Sequence, residues 1–208
     1  SSYLFYLSKT VNVESLEASM KASTVVYDGK DEEPGKLLAQ KGTYVSIDEM
    51  SPYIINGVIA TEDRNFYEHH GFDIKGIARA ALRVLKNGNT SGGGGSTITQ
   101  QLAKNAYLTL DQTFSRKAKE LFLAIEIEKQ YSKDQILEMY LNNSFMGSGV
   151  WGMQDAALKY FGVNASEVTL SQAATLVGML KGPSLYNPSD NVELENKRKD
   201  TVLSVMAE

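Results

Sequence analysis

The stretch SPYIINGVIATEDRNFYEHHGFD, Ser51–Asp73, decides the fold class. Ser51 can cap a helix N-terminus, and Pro52 suits the first turn. Ile55, Val58, Ile59 and Phe66 then recur at the three- and four-residue spacing of one helical face. Glu62 falls on that same face, three residues after Ile59 and four before Phe66. A carboxylate on an apolar stripe is unusual. Burial disfavours its charged form and raises its pKa toward that of a useful general base or acid. The alternative is that Glu62 sits at the rim of the stripe, or is neutralised by an arginine. Asp63 points elsewhere and suits structural hydrogen bonds. His69-His70 invites a metal reading, but adjacent residues on a helix or strand diverge, and no HExxH pattern is present.

Working outward, the four prolines are Pro34, Pro52, Pro183 and Pro188, so residues 53–182 are free to form a long series of helices. Asp73 is placed to cap a second helix, with Ile74, Ile77, Ala78, Ala81, Leu82 and Leu85 on one side and a stop at Lys86-Asn87-Gly88. A third helix follows Ser96. A fourth runs from about Phe114 to Tyr131, with an apolar stripe of Phe114, Ala118, Leu121, Phe122 and Ile125. Ser132–Gln135 and Thr169–Gln172 match the capping box. Gly162 and Gly182-Pro183 read as helix stops, and a last helix from about Val192 carries Lys197, Arg198 and Lys199. Upstream, residues 23–48 look like two or three short strands: Thr24–Tyr27 is β-branched and aromatic, and Asp28-Gly29 and Pro34-Gly35 are turn signals. The expected architecture is mainly α with a small N-terminal β appendage, divided into a linker and β segment over 1–50 and a helical domain over 51–208.

Bulk composition agrees with a folded domain. The chain has 208 residues, 42% hydrophobic and 22% charged, with a net charge of -4. That field does not advertise nucleic-acid binding, so an anionic ligand must be caught by a local group of cations. Cysteine is absent, which removes disulfides and thiolate metal sites. No run of about 18 apolar residues spans a bilayer, and YLFYL (Tyr3–Leu7) is too short to do so.

Two further clusters carry chemistry. In GNTSGGGGSTITQQLAKN, Gly88–Asn105, four glycines precede a helix that Ser96 or Thr97 would cap, so exposed N–H groups and the positive dipole end face the glycines. Thr97, Gln101 and Lys104 fall on one stripe, with Ile98 and Leu102 on another side. This is neither a Walker P-loop nor a dinucleotide fingerprint; a flexible linker before a surface helix is the plain alternative. On the fourth helix, Arg116 and Glu120 lie one turn apart, away from the Phe114–Ile125 stripe. They form either a solvated pair or, with Lys117, the wall of a cleft. Two carboxylates, a helix N-terminus and several cations suit glycosyl transfer from a sugar bearing a phosphate leaving group.

Five blocks in order, ATEDRNFYEHHGFD, GGSTITQQLAKN, RKAKELFLAIEIEKQYSKDQILEMYLN, GVWGMQDAALKYFG and LVGMLKGPSLYNP, resemble the five motifs of the peptidoglycan glycosyltransferases, glycosyltransferase family 51. That family occurs in class A penicillin-binding proteins and monofunctional transglycosylases and is the moenomycin target. The resemblance implies a lysozyme-like helical fold on the outer face of the bacterial cytoplasmic membrane, and polymerisation of lipid II into β-1,4-linked glycan with release of undecaprenyl diphosphate. It implies Glu62 as catalytic base and Glu120 as the second essential glutamate. Asp63, Phe66 and His69 match the rest of the first motif, and Ser96, Thr97, Gln101 and Lys104 the second. Arg116 and Lys117 match the diphosphate-facing positions of the third, and Lys181 the lysine of the fifth. No cofactor is implied as obligatory, although a divalent cation, Mg or Mn, could sit between the diphosphate and Glu120. Gly92–Gly95 would form a mobile flap, and Phe72, Ile74 and Phe114 are candidates for a lipid-facing jaw. Cell-wall synthesis proteins are further expected partners. No S-x-x-K, S-x-N and K-T-G set accompanies the blocks, so a transpeptidase is absent from this stretch. Either a monofunctional enzyme or a piece of a bifunctional one is expected, with a membrane anchor upstream. The rivals are a lysozyme-like hydrolase or lytic transglycosylase, which needs no diphosphate grip, and a silent module that binds lipid-linked precursors.

Overall fold

The computed structural model describes residues 12–22, 42–88, 95–107, 114–182, 186, 188 and 191–208. Its frame is helical: α1 (Leu16–Ala22), α2 (Pro52–Glu62), α3 (Ile74–Asn87), α4 (Ile98–Tyr107), α5 (Phe114–Gln130), α6 (Lys133–Asn142), α7 (Met153–Phe161), α8 (Leu170–Met179) and α9 (Val192–Met206), with 3-10 turns at Ile47–Glu49 and Ala165–Glu167. The helix starts follow the local chemistry. Ser51 accepts from the Tyr53 N–H at 3.2 Å, with Pro52 in the first turn. The capping boxes Ser132/Gln135 and Thr169/Gln172 are both formed. Gly88 and Gly162 end α3 and α7 in the left-handed conformation, at φ 62° and 67°.

Two groups of three helices make the body. α2, α8 and α9 pack on one another, and α4 packs on both α5 and α6. α4 carries Ile98, Leu102, Ala103 and Ala106 fully buried. It is held by this apolar anchor along nearly its whole length, which is what fixes the polar side chains it presents.

Residues 23–41 of the expected β appendage lie outside those described. The remainder forms no strand: 42–46 has no regular structure and 47–48 belong to the 3-10 turn. Its polar groups are taken by side chains instead: Asn142 accepts from the Val45 N–H at 2.9 Å and donates to the Val45 carbonyl at 2.8 Å, and Asp155 accepts from the Thr43 N–H at 3.1 Å. Among the described residues there is no sheet, and β pairing is limited to the isolated Phe145–Trp151 bridge.

Two helical phases differ from the expected ones. α2 stops at Glu62, because Asp63 adopts φ −160° and ψ 79°, so Phe66 reaches the core from the following turn. On α5 the buried face is Glu120, Leu123, Ala124 and Ile127, and Leu121 is exposed. The stripe proposed through Ala118, Leu121, Phe122 and Ile125 is therefore out of phase, and Glu120 stands on the inward side.

Candidate active site

Glu62 ends α2 at the seam between the two helical groups. Its side chain is 16% exposed, and its Oε1 is buried with no hydrogen-bond partner among the described residues. Burial pushes the carboxyl above the ordinary glutamate value, against the opposing pull of Arg198, Gln101, Lys181 and Lys104. The carboxylate is buried, and the nearby arginine does not offset the effect of burial. Arg198 Nη2 lies 3.8 Å from Oε1.

Asp63, the next residue, turns the other way. Its Oδ2 accepts from the Ile98 N–H at 3.0 Å, capping α4, and lies 2.6 Å from His69 Nε2. The Gly71 N–H donates to His69 Nδ1 at 3.1 Å, which assigns the proton to Nε2 and makes the imidazole the donor to Asp63. Behind them Glu128 accepts from Thr99 Oγ1 at 2.7 Å and from Lys133 Nζ at 2.6 Å, and the Lys133 ammonium sits 4.6 Å from the centre of the Phe66 ring. Thr97 donates to the Gly71 carbonyl at 2.8 Å and forms a reciprocal cap with Gln100. Phe66 and His69 thus face the core, while Asp63 and Thr97 border the cavity beside Glu62 with polar atoms engaged by the protein.

The stripe on α4 points at Glu62. Gln101 is within side-chain hydrogen-bonding reach of the Glu62 carboxyl, and Tyr140 donates to Gln101 Oε1 at 2.9 Å. That bond sets the amide so that its NH2 faces Glu62. Burial lowers the pKa of Lys104, Glu120 pulls it back up, and Lys117 and Arg116 lower it further, so Lys104 stands within the field of both glutamates and both cations. Lys117 Nζ donates to Glu120 Oε1 at 3.1 Å and to Ser96 Oγ at 3.2 Å. The solvated reading does not hold for Glu120, which is buried, 2% exposed, with Lys117 as a partner. Lys181 is exposed in the turn after α8 and acts on Glu62 through its charge. Gly92–Gly94 of the expected flap lie outside the described residues.

Residues 31–207 match the Transglycosylase family. The chain belongs to that family. It is similar to penicillin-binding protein 2a of Streptococcus pneumoniae, 56% identical over 204 residues, which cover 98% of this chain and 27% of that protein. Penicillin-binding protein 1F of Bacillus subtilis is 42% identical over 195 residues, 93% of this chain and 27% of the relative. Penicillin-binding protein 1A of Escherichia coli is 45% identical over 176 residues, 83% and 21%. The chain spans about a quarter of the length of these curated relatives. Membership places this transglycosylase among the peptidoglycan glycosyltransferase enzymes, the class expected from the five blocks.

A cavity of about 500 Å³ opens beside Glu62, bordered by Arg64, Arg79, Arg83, Ser96 and Arg198. The sequence reading missed two residues that the structure brings to the candidate site. Arg198 was noted only as one of three consecutive cations on the last helix, and nothing in that pattern distinguishes the one that turns inward. Tyr140 looks like a core aromatic, and it is one; its hydroxyl alone reveals the second role. A divalent cation fits the residues in one respect. Glu120 Oε2 is buried without a hydrogen-bond partner among the described residues, an open acceptor. The same residues offer no group of three or more His, Asp or Glu that could hold a metal.

Proposed function

We propose that the chain polymerises lipid II, with Glu62 as the general base on the acceptor 4-hydroxyl. The observation that carries this reading is the buried Glu62 carboxylate with its open Oε1, flanked by Lys104, whose field also reaches Glu120, Arg116 and Lys117. In the reaction the acceptor hydroxyl, presented from the cavity, attacks the anomeric carbon of the growing chain. Glu62 takes the hydroxyl proton, the new C–O bond forms, and the anomeric carbon–phosphate oxygen bond breaks. The electron pair leaves with the undecaprenyl diphosphate, whose charge Lys104, Arg116 and Lys117 meet. Raised basicity is useful here, because a carboxylate of ordinary pKa is a weaker proton acceptor.

The remaining roles follow from placement. Glu120 holds Lys117 in position. Asp63, Phe66, His69 and Thr97 fix the start of α4, and Ser96 orients Lys117 from the other side. Lys181 adds positive charge at the mouth of the site. A divalent cation, Mg or Mn, would be held on the protein side by Glu120 and would supply charge neutralisation for the departing diphosphate, without being obligatory. A helical frame with a buried glutamate at the seam of its two helix groups is in keeping with the lysozyme-like part of the reading. α3 supports contact with a membrane surface, which the reading places at the outer face of the cytoplasmic membrane. Ile74, Leu82 and Leu85 are 69%, 65% and 82% exposed, among the exposed cations Lys75, Arg79, Arg83 and Lys86.

The test is to incubate the protein with lipid II, with and without chelator, and resolve the products by size. Polymer is expected, persisting in chelator, and Glu62→Gln should lower the rate roughly 10²–10⁴-fold. Fragmentation of mature glycan would make the chain a hydrolase, and binding with neither product would make it a precursor-holding module. Wild-type polymerisation by Glu62→Gln would remove the base assignment.

A further inference from the structure

Glu62 and Arg198 come together across α2 and α9 in a way that an ordinary salt bridge does not require. The Arg198 side chain is 13% exposed, and its Nη2 stands 3.8 Å from Glu62 Oε1. That is within reach of a strong charge interaction and beyond hydrogen-bond range. The guanidinium is held at this distance by other contacts. Its Nε donates to the Gly178 carbonyl on α8 at 3.3 Å. Its stem lies over Gly178, where an added Cβ would stand 2.9 Å from Arg198 Cγ. A side chain at position 178 would displace the arginine, so the glycine gives the guanidinium its path to Glu62.

We propose that Arg198 is the positioning residue that keeps Glu62 ionised while leaving Oε1 open to accept a proton. A guanidinium in direct hydrogen-bonded contact would occupy the lone pairs that the base must offer, and a more distant one would leave the buried carboxyl protonated. This inference rests on Glu62 being the general base. Arg198 does not act alone on the carboxyl. Lys181 from the turn after α8 and Lys104 from α4 add positive charge, Gln101 donates from α4, and the buried Tyr140 phenol faces it from α6. Among these charges Arg198 has the largest effect, and it is anchored on a third helix.

The experiment compares wild type, Arg198→Gln, Arg198→Lys and Gly178→Ala by pH–rate profiles of lipid II polymerisation. In parallel, the Glu62 carboxyl is titrated directly by carbon NMR in ¹³C-glutamate-labelled protein, with Glu62→Gln identifying its resonance. The base works ionised. Removing the positive neighbour should raise its pKa and move the acid limb of the profile, and the NMR titration, to higher pH by about one unit or more. Arg198→Lys should restore most of the shift, and Gly178→Ala should give an intermediate one. An unmoved titration in Arg198→Gln overturns the proposal, as does a rate loss equal at all pH values with the acid limb in place. If Arg198→Gln fails to fold, the same two readouts on Gly178→Ala decide, and an unmoved limb and titration there overturn it. The NMR titration reads the coupling even if the wild type makes no polymer, so failure of the proposed function is distinguishable from failure of this inference.

Discussion

Glu62 and Asp63 are consecutive carboxylates with opposite energetic signs. Asp63 accepts from a backbone N–H and a buried imidazole, so deleting it strands both donors. Asp63→Ala is expected to lower unfolding free energy by about 3 kcal/mol or more, measured by denaturant titration. For Glu62 the folded pKa lies above the ordinary value of 4.5. The native state therefore binds this proton more tightly than the unfolded chain, and stability is lost as pH rises from the unfolded value through the folded one. Glu62→Gln, which resembles the protonated form, should melt above wild type at neutral pH, the gap narrowing as pH falls toward 4.5. A neutral-pH melting temperature below wild type would contradict the buried-base picture. At this scale much was legible. A glutamate on an apolar stripe is a local anomaly, and so is a capping box. Arg198 was not legible, because its meaning depends on a helix at the far end of the chain folding back onto Glu62.

The helices show what periodicity can and cannot tell. Spacing marks α3 as amphipathic, yet the apolar side faces outward, and spacing carries no information about what covers a face. If that face rests on lipid, Leu82→Glu with Leu85→Glu should weaken association with anionic vesicles at least about tenfold, read by sedimentation, and leave the fold unchanged by circular dichroism. Equal association by the double variant would move the membrane contact elsewhere. Phe72, another candidate for that jaw, is half-buried, and the Phe114 side chain lies outside the described residues. α5 was misphased for a different reason. Apolar residues occupy more than one side of it, and a buried Glu120 reads from sequence as part of the wet side. The polar partner that permits its burial, Lys117, sits only one turn away.

The molecule as a whole places the candidate site at a joint. α2, α8 and α9 bring Glu62 and Arg198; α4, α5 and α6 bring Gln101, Lys104, Glu120 and Tyr140. The N-terminal segment is tied to the second group. The Tyr131 hydroxyl donates to the Val13 carbonyl at 2.6 Å, and Leu16 and Met20 are fully buried in the common core. Leu16→Ala should therefore cost about 2–5 kcal/mol of global stability with one cooperative transition; a separate early transition would show that α1 melts independently. The joint also explains which part of the site the sequence could reveal. Motifs report residues near each other in the chain, whereas the seam is made by faces that meet only after folding.

The boundary between residues 62 and 63 has a practical consequence for mutational surveys. On the proposed function, one side of that peptide bond serves reactivity and the other serves architecture, so inactive variants at both positions would score alike while failing for unrelated reasons. Inserting a single residue there would leave Glu62 in the register of α2 but carry Asp63 away from the Ile98 N–H, uncapping α4 while the acid stays in place.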